Sequence, residues 1–344
     1  MKRRLVALFA VGLVAIAKRA EACAGCSNPN LPTARAANVG LAPGEISATI
    51  NLTATTMHVV HSEACPDIGP ICDQRSEPPQ LHDQRFWIAE LRPIIAAGIT
   101  QVFGVELQAP IRLVRTTIQF RRLDGTPFAP DYVNIHHRDE TLFGIADPWL
   151  LGRATGAIGD LRITTRAGLG LPLGRIEDDP FARGRAGQEH QHIQFGTGTF
   201  YPVLALDAGL PLADDRVRLG AYAQTLIFTY RNGRGYHAGN RYIGGVWGDV
   251  EVIVPKLRLG VAFDVLNEQP ERWGGLVQQD GNVGRTDVLA GGGLSYGFGE
   301  YLASLTIKTP VYQHFIEVDH RHDHDPGQLT YPAIMNLALS RGFR

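Results

Sequence analysis

Along most of the chain apolar and polar residues alternate one by one, in about twelve stretches separated in turn by short and by long polar segments. Successive side chains of a strand point to opposite faces, so Val217, Leu219, Ala221, Ala223, Thr225 and Ile227 are predicted to share one face. Arg216, Arg218, Gly220, Tyr222 and Gln224 take the other. Leu161, Ile163, Thr165, Ala167 and Leu169 separate in the same way from Asp160, Arg162, Thr164 and Arg166, and Leu257, Leu259, Val261, Phe263 and Val265 from Arg258 and Asp264. Lipid on one side and water on the other explains both sets. A soluble β-sandwich also alternates, because its outer face is wet, so alternation alone leaves two folds open.

The lengths of the connections separate them. Strands are predicted near residues 46–60, 85–96, 101–120, 143–153, 159–173, 196–210, 216–230, 241–254, 257–266, 287–298, 301–318 and 328–343. The links at 97–100, 154–158, 211–215, 255–256 and 299–300 are short, whereas those at 61–84, 121–142, 174–195, 231–240, 267–286 and 319–327 are long. Short periplasmic turns alternating with long external loops are a rule of membrane barrels, and an even strand number puts both chain ends on the periplasmic side. The fold class expected is therefore all-β, a transmembrane up-and-down antiparallel β-barrel of about 12 strands in a bacterial outer membrane, facing lipid. Met335, Leu337, Leu339, Arg341 and Phe343 alternate toward a near-terminal aromatic, similar to the C-terminal signal read by the outer-membrane assembly machinery; Arg344 departs from the usual terminal aromatic.

The N-terminus adds export. Lys2, Arg3 and Arg4 precede an apolar run from Leu5 to Ala17, and Ala20-Glu21-Ala22 offers small residues where a signal peptidase reads, with Lys18 and Arg19 placed awkwardly between. The run is shorter than the roughly 20 residues a spanning helix needs. Residues 1–22 are read as a cleaved signal peptide, 23–43 as a periplasmic N-terminal tail and 44–344 as the barrel. A lipoprotein anchored at Cys23 is the weaker reading, because Ala20 stands where Leu is usual.

Lys and Arg number 33 against 34 Asp and Glu, a net charge of −1, so no nucleic-acid partner is implied. Charges expected to face the lumen are Glu90, Arg92, Glu106, Arg112, Arg162, Arg166, Arg216, Arg218, Asp249, Glu251, Arg258 and Asp264. Opposite charges on neighbouring strands can hold a barrel in shape, which is the simpler reading, or form a ladder that guides a polar solute. Twelve strands fall between barrels of about 8, whose interiors side chains fill, and those of about 16 that hold an aqueous channel.

Three short segments carry a family resemblance. Gly144-Ile-Ala-Asp-Pro-Trp-Leu-Leu-Gly152, then Gly170-Leu-Pro-Leu-Gly174, then Gln194-Phe-Gly-Thr-Gly-Thr-Phe-Tyr201 resemble the outer-membrane transporter family linked with the meta-pathway of phenol degradation. Ala146 before Asp147, and Leu173 in place of Thr, depart from its pattern. The resemblance covers about 60 residues and implies a barrel that passes a small molecule, with no catalytic residues to carry over.

All 12 histidines fall in long loops or near the outer strand ends. The densest group is His320, His322 and His324, alternating with Asp; Glu189-His190-Gln191-His192 and His136-His137 form two others that can meet it at the barrel mouth. Imidazoles with carboxylates can hold Zn, Cu or Ni, although a histidine-rich tract is a compositional signal and polar loops hold histidine for no special reason as well. The four cysteines, Cys23 with Cys26 and Cys65 with Cys72, pair most economically as two local disulfides in an oxidising periplasm; redox or soft-metal roles compete at the first pair.

The leading expectation for function is an outer-membrane channel or transporter for a small solute, with transition-metal ions or their complexes as one class that a histidine mouth would favour. The alternatives are a plugged structural, adhesive or metal-binding barrel, and an outer-membrane enzyme acting on lipid. For the enzyme, Ser295 and Ser304 have only His314 as a candidate base, and no nucleophile–base pair can be built, so no catalytic residue is expected.

Overall fold

In the computed structural model the alternating stretches hydrogen-bond into one closed antiparallel barrel. The structure describes residues 41–63, 80–130, 134–278, 281–316 and 329–343. The signal peptide, nearly all of the N-terminal tail, Cys23, Cys26, Cys65, Cys72 and the group His320, His322 and His324 lie outside the described residues.

The wall is built from β1 (Ile46–Glu63), β2 (Gln80–Gly98), β3 (Phe103–Gln108), β4 (Ile111–Arg122), β5 (Glu140–Ile145), β6 (Trp149–Ile158), β7 (Leu161–Gly170), β8 (Tyr201–Leu212) and β9 (Val217–Leu226). After β10 (Tyr236–His237) it resumes with β11 (Arg241–Glu251) and β12 (Leu257–Glu268). After β13 (Arg272–Trp273) it ends with β14 (Arg285–Phe298), β15 (Tyr301–Phe315) and β16 (Ile334–Phe343). β10 and β13 form a separate two-stranded ribbon in the external loops. Pairing of β1 with both β16 and β2 closes the ring. β3 and β4 both pair with β2 and count as one wall strand, as do β5 and β6, which pair with β4 and β3, so fourteen segments make twelve wall strands.

Two predicted strands are thus each broken in two. The 101–120 strand is interrupted at Ala109-Pro110, where proline has no N–H to give to the ladder, and the 143–153 strand at Ala146-Asp147-Pro148 for the same reason. The predicted turn at 154–158 is strand: β6 runs to Ile158, and the turn is Gly159-Asp160. Strands five, six, seven and twelve stop short of their predicted outer limits, at Gly170, Tyr201, Leu226 and Ile334, because the chain there leaves the wall and folds over the mouth.

The outward face is a band of exposed apolar side chains, among them Ile50, Leu91, Ile95, Leu150, Leu206, Leu219, Val246, Val261, Phe263, Leu294 and Ile307. Phe103, Phe298 and Phe343 border it on the short-turn side, and Phe143, Tyr242 and Tyr312 on the long-loop side. An apolar band between aromatic girdles on a closed barrel is the surface of a protein embedded in an outer membrane.

The inward face changes character along its height. On β1 the lumen row reads Thr49, Asn51, Thr53 and Thr55, all buried and polar, then Met57 and Val59. On β2 it reads Arg92 and Glu90, then Ile88 and Phe86, going from the turn end to the loop end. The apolar upper rows pack with Val114, Leu142, Leu289, Tyr331 and two residues of the loop between β7 and β8, Ile193 and Phe195. A second cluster joins Trp149, Leu151, Tyr201, Val203, Leu226 and Phe228 to Tyr236, Ala238 and Trp273 of the external loops. The outer half of the barrel therefore holds a hydrophobic core, and the inner half does not.

Candidate functional site: a lidded lumen

Below the core lies a cavity of about 1390 Å³ that opens among the short turns. Its lining mixes apolar residues such as Leu210, Ala262, Leu294 and Ala338 with polar ones and charges of both signs, among them Asn51, Arg162, Thr164, Arg218, Tyr222, Asp249, Arg258, Asp264, Ser295, Ser304, Lys308 and Asn336, with the Trp247 ring on one side. Arg258 donates to the Asp249 and Glu251 carboxylates and to the backbone carbonyls of Asp215 (2.9 Å) and Arg216 (3.3 Å). Lys308 pairs with Asp264. In the turn before β9, the Arg218 guanidinium holds the Asp215 carboxyl below its usual range.

Of the expected lumen charges, Arg162, Arg218, Asp249, Arg258 and Asp264 line this cavity. Glu251 reaches it only as a partner of Arg258, and Arg216 is corrected to an exposed residue of the turn before β9, so strand alternation does not govern its direction.

Glu90, Arg92, Glu106, Arg112 and Arg166 do something different. They are buried in one ion-paired chain across the wall. Arg112 donates to Glu90 Oε2 (2.9 Å), Arg92 to Glu90 Oε1 (2.6 Å) and to Gln108 Oε1 (3.1 Å), and Gln108 to Glu106 Oε1 (2.7 Å). Arg166 donates to Glu106 Oε2 (3.1 Å) and to Asp207, while Arg153 stands 3.7 Å from Glu106. Buried charge is tolerated only when so paired. These residues fix the shape of the wall, and the open charges lie lower. Sequence reasoning missed Arg153, Gln108 and Asp207; Asp207 is in phase with inward-facing Tyr201 and Val203, a signal that would have found it.

The lid is the loop of residues 171–200. Its short helix α1 (Pro180–Arg185) is started by Asp179, whose carboxylate accepts the N–H groups of Phe181 (3.0 Å) and Ala182 (3.1 Å), with proline at the first helical position. The three segments of the family resemblance meet here. Asp147, at the break between β5 and β6, accepts the N–H of Gly174 (3.0 Å) on Oδ1, and both the N–H and the hydroxyl of Thr197 (2.7 Å each) on Oδ2. Gly174 and Gly196 touch: a Cβ on Gly174 would lie 2.6 Å from the Gly196 Cα. Tyr201 lies across Gly170 and accepts a hydrogen bond from the Trp149 indole (2.9 Å). Thr197 O also accepts from Asn232 (3.0 Å) and Gln194 O from Arg112 (3.5 Å), so the lid is tied to the next external loop and to the buried charge chain.

Beside this knot the edge of the wall is met by the lid instead of a strand. β5 pairs with β4 and with no other strand among the described residues, and on its far side Ile145 O accepts the N–H of Arg175 (3.0 Å) from the lid.

The expected histidine groups resolve unequally. His136, between β4 and β5, and His190 and His192, in the lid, come together, with ring centroids 4.6 to 5.5 Å apart; His137 lies 4.1 Å from His136 and 4.4 Å from His82. Ser295 and Ser304 face each other across β14 and β15, but His314 lies ten residues from Ser304 on the same strand, about 33 Å along it.

Among solved structures the chain is similar to an outer-membrane channel from Pseudomonas putida F1, with 11% identity, 91% of this chain and 100% of that chain covered, and a TM-score of 0.54. The beta domain of a Bordetella autotransporter matches with 10% identity over 88% of this chain and 100% of the other (TM-score 0.40), and the monoaromatic hydrocarbon channel CymD with 7% identity over 88% and 90% (TM-score 0.38). No protein-family model and no curated protein matches the chain. The first likeness shows the fold that the strand pairing already gives.

Proposed function

We propose that the protein is an outer-membrane channel for a small solute, kept shut at its outer end by its own lid. The observation that carries this reading is the division of the lumen into an open cavity of about 1390 Å³, lined in part by charges of both signs, below and an apolar closure built partly from a loop above. A barrel serving only as a structural post has no need of an unfilled lower half. The fold shared with the Pseudomonas putida channel agrees with this reading, as does the resemblance of the Asp147, Gly174 and Thr197 segments to a transporter family. The link of that family to phenol degradation makes a small aromatic compound the first solute to try.

The cavity offers carboxylates already held by Arg and Lys, not nitrogen ligands, so a transition-metal ion is the weaker solute; the histidines belong to the mouth. We assign no catalytic role, since the only base considered for Ser295 or Ser304 is about 33 Å distant. Assembly through the last strand fits the outward row Met335, Leu337 and Leu339 on β16.

The test is single-channel conductance and liposome swelling with the full chain, comparing the wild type with Asp147→Ala. Rare, small steps in the wild type and frequent, larger ones in the variant support a lidded channel. A folded variant that stays silent transfers the assignment to the plugged barrel, and swelling rates indifferent to Zn and Cu remove the metal solute.

A further inference from the structure

We propose that His136, His190 and His192 form a binding site for one divalent transition-metal ion of the zinc, copper and nickel class, which staples the lid to the loop between β4 and β5. The three histidines each offer one ligand nitrogen, and these atoms all lie within 4.8 Å of one another. In a tetrahedral zinc site with Zn–N bonds of about 2.0–2.1 Å, ligand nitrogens stand about 3.3 Å apart. Metal binding would have to draw the nitrogens together by up to about 1.5 Å and tilt His136 out of its stack on His190 and His192. Imidazole nitrogen suits zinc, copper and nickel, whereas calcium and magnesium take oxygen, so the donor set selects the class.

The site is held in place by groups that do not need the metal. Asn134 Oδ1 accepts the N–H groups of His136 (2.9 Å) and His137 (2.7 Å), fixing the turn that presents His136. The two loops are tied by His190 N–H to Ile135 O (3.1 Å) and by Arg138, which donates to Ile135 O (2.8 Å) and His190 O (2.9 Å). His190 Nδ1 lies 2.9 Å from Gln188 O. A carbonyl oxygen can only accept, so Nδ1 carries a hydrogen and in the neutral ring the lone pair is on Nε2, the arrangement by which metal-bound histidines are oriented. Phe181 packs edge-on against His192 at 4.7 Å, and His190 and His192 are buried. An apolar flank of this kind limits solvent access to a metal. Three neutral ligands from two loops leave one coordination position open.

The site differs from the expectation drawn from sequence, in which loop histidines capture metal for transport. Here the ion would hold a closure and need not pass. The inference stands apart from the channel reading, because binding is measured without conduction.

The experiment is titration of the purified full-length, metal-stripped protein with Zn²⁺ by calorimetry, and with Co²⁺ by its visible absorption, in three forms. The wild type is expected to bind one equivalent at this site. The variant H136A/H192A is expected to lose that equivalent, with an affinity drop on the order of 100-fold or more, since even partners outside the ligand set cost 10- to 100-fold. The third form is Gly184→Ala, which keeps all three ligands: its Cβ would stand 3.0 Å from His190 Cε1 and 3.2 Å from Nε2, and the displaced ring should weaken Zn²⁺ by about tenfold. Heat-modifiable gel migration reports barrel folding in each form. With folded protein, a stoichiometry and affinity unchanged in H136A/H192A overturn the proposal and place the metal on other histidines. The staple has its own readout: Zn²⁺ should slow proteolysis within residues 186–196 in the wild type and not in H136A/H192A, and equal cleavage with and without Zn²⁺ in the wild type refutes it.

Discussion

Asp147 and Thr197, fifty residues apart, are joined by two hydrogen bonds to a single carboxylate oxygen, one from the Thr197 backbone and one from its hydroxyl, each 2.7 Å long. The other oxygen of Asp147 holds Gly174. One side chain at a break in the wall thus grips both ends of the lid.

Asp147→Ala should release that grip. Three hydrogen bonds to the Asp147 carboxyl are lost, and at about 1 to 1.5 kcal/mol each the lid should be destabilised by about 3 to 4.5 kcal/mol. Limited proteolysis within residues 171–200 should speed up while the barrel keeps its heat-modifiable migration. Unchanged cleavage would mean that the apolar contacts of Ile193 and Phe195 hold the lid alone.

Gly196→Ala should act by bulk. The added Cβ would meet the Gly174 backbone at 2.6 Å and Asp147 Oδ1 at 2.7 Å, and neither can turn away. Overpacking of this kind costs about 1–3 kcal/mol. The expected result is a lid displaced toward solvent, read as raised hydrogen exchange at Thr197 and Gly174. Native exchange there would show that the loops can re-space.

Glu106→Ala tests the buried charge chain. It strips Arg166, Arg153 and Gln108 of a shared carboxylate in a dry part of the wall, and breaking a buried pair on one side costs about 3–5 kcal/mol. Urea unfolding of the refolded barrel should show the loss, whereas removing Glu251, half-buried beside the turns, should cost less.

Glu271 gives the outer loops a pH dependence. Burial, with Glu268 nearby, pushes its carboxyl up to about 7, while the N–H of Asn282 (3.3 Å) and the Tyr236 hydroxyl (3.2 Å) work in the opposite direction. An acid whose folded value is raised binds more protons folded than unfolded between its ordinary value near 4.5 and 7. Loop stability therefore falls as pH rises through that window and is level above it, by on the order of 3 kcal/mol in all. Hydrogen exchange of residues 269–278 measured from pH 5 to 8 should show the slope, and Glu271→Gln should flatten it. A slope that persists in the variant assigns the effect to another group.

The barrel was legible because its signal is long-range and redundant. Twelve alternating stretches and the parity of their links survive an error of a few residues at any one end, so the misplaced turn at 154–158 did not disturb the count. What could not be read was where polar lumen becomes apolar core. Met57 and Val59 on β1, and Phe86 and Ile88 on β2, continue the inward rows of Thr55 and Glu90 without any change in period, and only the arrival of Ile193 and Phe195 from a distant loop explains them. The lid motifs were visible as short Gly-Asp and Gly-Thr-Gly segments, but their meeting at Asp147 depends on contacts between residues 27 to 50 positions apart. The histidine groups were visible as composition. That His136 joins His190 and His192 is set by Arg138 and Asn134, which no count of histidines reports.

The wall is not of even height. β1 and β2 run for 18 and 19 residues, whereas β7 and β9 have 10 each, close to the 9–11 that a tilted strand needs to cross hydrocarbon. On the tall side a change in bilayer thickness only slides lipid along spare strand. On the short side there is none to spare, and the next apolar surfaces above the rim are Leu173 and Phe200 of the lid, both well exposed. On this side hydrophobic mismatch would be felt at the lid, which makes the thickness of the surrounding membrane a setting for how firmly the mouth is shut.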